Sequence, residues 1–170
     1  MMAIRHRLGA RLASQRGFTL IEIVVVMMLV GILAAIALAV FLNQQDKGRD
    51  ASAKSNATNL AHLVQACNAG RDETDDFRGC DTPAEIGETS IPIDPTAPTA
   101  PMSDCSDGDP GSVEPGQARV AEAGRDCFVV LAGSKSGNRF WFVKHNDGSV
   151  KRDCTTHGVN GCPPTGEWAD

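Results

Sequence analysis

One carboxylate stands where a carboxylate is costly. Glu22 opens onto Ile23–Leu42, IVVVMMLVGILAAIALAVFL, twenty residues with no charge and no side-chain hydrogen-bonding group. An acid at the centre of a membrane helix costs about 2.5–3.5 kcal/mol, and less towards the interface. An acid held in such a place is a functional candidate. The use open to it is to meet a cation with good geometry, because a buried charge robbed of its partner costs several kcal/mol.

The six cysteines, Cys67, Cys80, Cys105, Cys127, Cys154 and Cys162, all follow the apolar run. An even number on one side of it points to disulfides in an oxidising compartment outside the cytoplasm. Zinc is not indicated: there is no CxxC pair, and His6, His62, His145 and His157 are scattered. Asp104, Asp107, Asp109 and Glu114 crowd a glycine-rich stretch and could offer oxygen ligands to calcium, but the EF-hand spacing is absent and a solvated acidic loop accounts for them. Lys144, Lys151 and Arg152 beside Phe140, Trp141 and Phe142 could hold DNA by charge and stacking. Ordinary strand alternation explains the same residues. No GxSxG, HExxH or P-loop frame occurs, and Cys67 near His62 reads as helix face and disulfide. No catalytic residue, metal or cofactor is expected.

The elements that must position these groups are legible. The charges are asymmetric: of 16 Lys and Arg, four (Arg5, Arg7, Arg11 and Arg16) precede Phe18 with no acid among them, leaving 12 − 21 = −9 for the rest. That acidic remainder argues against a general nucleic-acid binder. About 20 apolar residues span a bilayer as a helix. The arginines before the span, against Asp46 and Asp50 mixed with Lys47 and Arg49 after it, keep the N-terminus cytoplasmic. A secretory signal cut after Ala37-Leu38-Ala39 is the rival, against which the run exceeds the usual ~7–15 residues of such a signal. A plain single-pass anchor explains the length but not Glu22.

Past Leu42 the helical spacing continues: Ala53, Ala57, Leu60, Val64 and Cys67 make one apolar stripe. A helix over 18–68 would be about 51 residues and roughly 75 Å long, its second half laid on a sheet, with Gly48 as the place for a bend. Residues 69–118, rich in proline, read as an irregular connection. Cys127–Leu131, Arg139–His145 and Ser149–Arg152, parted by Ser136-Gly137-Asn138 and Asn146-Asp147-Gly148, read as an antiparallel meander, with Arg119–Ala123 a candidate fourth strand. The fold class is α+β, the striped helix covering the sheet.

Arg16-Gly17-Phe18-Thr19-Leu20-Ile21-Glu22 followed by the apolar run resembles the processing site of type IV pilins and pseudopilins. Basic leader, motif and helix together cover roughly the first quarter of the chain. The resemblance implies a leader, 1–17, removed by a prepilin peptidase between Gly17 and Phe18, and methylation of the new Phe18 amine. It implies a membrane and filament-core helix, 18–42, that is kept, then an amphipathic helix, 43–68, the connection 69–118, and a sheet with a disulfide-bounded C-terminal loop, 119–170.

After the cut Phe18 carries an amine. Glu22, four residues on, could neutralise its own chain's amine or a neighbour's; the resemblance favours the neighbour. Gly31 costs about 1 kcal/mol relative to Ala inside a helix. It serves either close packing of helices or a place where the helix melts during assembly, the proline that many pilins carry further along being absent. The cysteines allow 15 pairings. Neighbour pairing (Cys67 with Cys80, Cys105 with Cys127, Cys154 with Cys162) is the expectation, the last pair matching the C-terminal loop of the family. The implied function is a structural subunit: a single-pass precursor in the cytoplasmic membrane, polymerised with other copies by an assembly platform and its ATPase into an extracellular pilus for adhesion, motility or DNA uptake. A type II secretion pseudopilin or a minor pilin is the alternative, and a secreted binding domain is the rival from another class.

Overall fold

In the computed structural model, residues 17–71, 76–99 and 104–168 are described. Of the leader expected over 1–17, residues 1–16 lie outside them. The chain divides into two units, at Ala39 and Val40, and one helix, α1 (Leu20–Ala69), runs through the division.

In the N-terminal unit α1 starts behind Thr19, whose Oγ1 accepts the Glu22 N–H at 3.3 Å. Thr19 thus satisfies one of the N–H groups that a helix start leaves unpaired. The helix holds an 18-residue window of mean hydropathy 3.1, none of it buried. α1 continues through Gly31 and Gly48 without interruption. The helix has ladder hydrogen bonds on both sides of each glycine, and an interior glycine is a modest cost rather than a break.

In the C-terminal unit the outer part of α1 buries Asp50, Ala53, Ala57, Leu60, Ala61, Val64 and Asn68, steps of three and four that put them on one face. They meet the sheet of β1 (Ala118–Ala123), β2 (Phe128–Gly133), β3 (Arg139–Lys144) and β4 (Val150–Cys154), an antiparallel meander in the order β1-β2-β3-β4. The candidate fourth strand is present as β1, with a bulge between Val120 and Glu122. Ala118, Val120, Phe128, Val130, Ala132, Phe140 and Phe142 form the helix-facing layer with Ala53, Ala57, Leu60 and Val64. Small residues on the helix let it sit close to the large rings on the sheet.

The opposite face is buried as well. Ala121, Val129, Leu131, Trp141 and Val143 pack with Cys105, Cys127 and Val113, so the stretch 104–114 is a strap anchored on that face by Cys105 and Val113 while its acids stay exposed. The connection 69–118 is therefore less irregular than its prolines suggest. It holds a 3₁₀ turn (Phe77–Gly79), a one-turn helix α2 (Pro83–Ile86) capped by Thr82 and Glu85, and parallel bridges from Ile93 and Thr99 to β1. Those bridges cover a sheet edge that would otherwise present unpaired groups. Disulfides join Cys67 to Cys80, Cys105 to Cys127 and Cys154 to Cys162, with Cα–Cα distances of 5.8, 5.7 and 5.9 Å.

Candidate functional site

Gly17, Phe18 and Thr19 lie before the first turn of α1 and are exposed, Phe18 at 79%. A peptide bond there, outside any helix, is open to a protease. Glu22 stands in the first turn, where its charge also complements the positive end of the helix. Among the described residues its carboxylate has no side-chain partner. From Leu20 to Leu42 every large apolar side chain is exposed, from 44% at Ile23 to 83% at Leu20. A Cβ added at Gly31 would meet nothing within 4 Å. Among the described residues, then, nothing requires glycine at 31 and nothing covers the apolar side chains.

A second constellation, absent from the sequence reading, lies on the outer part of α1. Asp50 is fully buried. Its carboxylate accepts the Ser136 hydroxyl, Asn138 Nδ2 at 2.8 Å and the Gly161 N–H at 2.8 Å. Asn138 Nδ2 also reaches Val159 O at 3.1 Å. Burial pushes the Asp50 pKa up, but hydrogen bonds from Ser134, Ser136, Asn138 and Gly161 outweigh it and hold the group below the usual carboxylate value. One side chain thus ties α1 to the β2–β3 turn and to the Cys154–Cys162 loop. Gly137, at φ 100°, makes the turn that aims Asn138 inward. The signal was present in the sequence: Asp50 lies three residues before Ala53, on the apolar stripe itself, where a polar residue needs a partner.

Trp168 closes the same end of the sheet. It is 2% exposed, stands edge-on to Phe140 with centroids 6.1 Å apart, and donates its indole N–H to Asp153 O at 2.9 Å. Gly166, at φ 80°, holds a left-handed conformation that favours glycine, and a Cβ there would press on the side-chain ends of Asp153 and His157.

The acidic residues singled out in sequence are spent on the strap. Asp104 and Asp107 face opposite nitrogens of His145 at 3.3 and 2.9 Å, Asp107 reaches Lys151 at 3.2 Å, and Asp109 pairs with Arg139. Among the described residues no group of three or more His, Cys, Asp or Glu converges as metal ligands. The three rings considered for base stacking are buried: Phe140 at 0%, Trp141 at 4% and Phe142 at 6% exposure. Lys144 lies over the Phe77 ring, and its Nζ donates to Asp126 O at 3.2 Å. The DNA reading thus loses its stacking platform. His62 is exposed, and Cys67 is in a disulfide.

Residues 12–38 match the model of the prokaryotic N-terminal methylation motif. The chain is also similar to the type IV major pilin protein PilA of Myxococcus xanthus (strain DK1622), 39% identical over 62 residues, which is 36% of this chain and 28% of that pilin. No solved structure matches the chain. The motif around Gly17 and the uncovered apolar start of α1 lie where these matches fall: in its N-terminal part the chain is similar to a type IV major pilin.

Proposed function

We propose that the chain is made as a membrane-held precursor, cut between Gly17 and Phe18 by a prepilin peptidase, methylated at the new amine of Phe18, and polymerised with other copies into a pilus. The observation that carries this reading is the surface from Leu20 to Leu42, where every large apolar side chain is exposed. Each such side chain gains about 1.5–3 kcal/mol when it leaves water. Lipid covers them before assembly, and neighbouring copies of the same helix cover them afterwards. Arg5, Arg7, Arg11 and Arg16 hold the N-terminus on the cytoplasmic side, where the platform and its ATPase act.

Glu22 sets the register. On leaving lipid, its carboxylate and the Phe18 amine of a neighbouring subunit are each costly alone and tolerable together. Gly31, where an added Cβ would meet nothing within 4 Å among the described residues, makes room for an adjacent helix. Glu22→Gln keeps the shape and removes the charge. The variant is expected to insert and be processed normally while sheared filaments disappear. Filaments at wild-type yield would remove the pairing from the account. The abundance of wild-type chain in those filaments then separates a major pilin from a minor pilin or pseudopilin.

Release of a soluble domain after Ala39 has one observation in its favour, since the unit from Val40 onward holds its own core. Against it, the cut would fall inside the unbroken α1 and discard Glu22 and Phe18.

A further inference from the structure

Asn160 is the one non-glycine residue with positive φ among the described residues, at 54°, and Gly161 follows it. An asparagine before a glycine is the pair most open to deamidation, because the glycine N lacks a neighbouring side chain to hinder its attack. In that reaction Gly161 N bonds to Asn160 Cγ and closes a succinimide. The Cγ–Nδ2 bond breaks, and the side-chain nitrogen leaves as ammonia, taking the proton from Gly161 N. Water then opens the ring to aspartate or isoaspartate at position 160. The nucleophile must shed its proton and swing towards Cγ.

We infer that Asn160 is a latent modification site and that Asp50 guards it. The Gly161 N–H that must be lost is donated to Asp50 Oδ2 at 2.8 Å. Negative charge developing on that nitrogen would face an ionised, buried carboxylate, a repulsion strengthened by the low dielectric of the site. Movement is blocked too. A Cβ built at Gly161 would lie 2.6 Å from Asp50 Cβ, so the backbone there is pressed against the helix. The loop is closed around the pair by Cys154–Cys162, with Cys162 N–H bonded to Val159 O at 3.0 Å. Asp50 itself is held by Ser136 and Asn138 and cannot turn away. The same carboxylate thus fixes the loop and keeps its chemistry silent. Opening of the loop, by reduction of its disulfide or by protonation of Asp50, exposes the site.

Peptide mapping by mass spectrometry, on full-length chain in detergent at mildly alkaline pH, tests this. Asn160 in the native chain is expected to convert ~10-fold or more slowly than in the same chain reduced and unfolded in guanidinium. Asp50→Ala, with its fold checked by near-ultraviolet circular dichroism, is expected to convert at close to the unfolded rate. If that variant does not fold, Ser136→Ala takes its place, and its deamidation rate is expected to rise in step with hydrogen exchange at the Gly161 amide. Native wild type converting as fast as unfolded chain overturns the inference. So does a folded Asp50→Ala, or a Ser136→Ala with faster Gly161 exchange, in which Asn160 is as slow as in wild type.

Discussion

The two ends of α1 obey opposite rules. Its first part carries leucine, isoleucine, valine, methionine and phenylalanine and buries none of them within the chain. Its last part carries alanine, serine, asparagine and lysine, and yet provides the buried face on which the sheet is built. Hydrophobicity alone would assign these roles the wrong way round. Burial inside the chain follows shape and periodicity, with Ala53, Ala57 and Ala61 letting a helix approach Phe128 and Phe140. Uniform greasiness without a stripe marks a surface that something outside the chain must cover.

Matched truncations put the sharpest pressure on this contrast. Phe128→Ala should cost the C-terminal unit about 3–5 kcal/mol, the usual price of a core ring, whereas Leu29→Ala should leave its thermal midpoint unchanged in detergent and weaken only filaments. Equal losses for the two would mean that the first part of α1 also packs within its own chain. Replacing Cys154 and Cys162 together by serine removes a short closed loop, and the chain-entropy model puts the loss at about 3 kcal/mol, readable by urea denaturation.

Asp50→Asn should cost less, about 1–3 kcal/mol, for weakened hydrogen bonds to a buried charge. The Asp50 pKa is lower in the folded chain than in the unfolded one. Its stabilisation is therefore complete above the ordinary carboxylate range of about 4 and is lost as pH falls through the folded value. The variant should lose that part of the acid-labile limb. The smallest effect is expected at Asp81, whose pKa burial and the neighbouring Glu85 push up to about 6. A raised carboxyl pKa makes the folded state lose stability as pH climbs from the ordinary range through 6. Asp81→Asn should therefore raise the melting temperature slightly at neutral pH and leave it unchanged near pH 4.

Much of this contrast is written in the sequence. Ala53, Ala57, Leu60 and Val64 repeat with a helical period, and Arg139–Val143 with its flanking turns reads as a strand. Glu22 is conspicuous because nothing around it is polar. Other features are hidden for physical reasons. Asp50 looks like one more charge in a charged stretch, since its partners Ser136, Asn138 and Gly161 lie far along the chain. The strap 104–114 is disguised by its acids, whose partners come from β3, β4 and the turn between them. A clue was available in β2 and β3: FVVL and FWFV are apolar without alternation, as strands buried on both faces are. Trp168, two residues from the end of the sequence, carries no local sign that it closes a core.

The most direct test is the mass of the mature N-terminus in the membrane and in sheared filaments. A chain beginning at methylated Phe18 in both, with all of α1 retained, is the predicted result. A chain beginning at Val40 would contradict the account, because the surface proposed to meet lipid and then neighbouring copies would have been discarded.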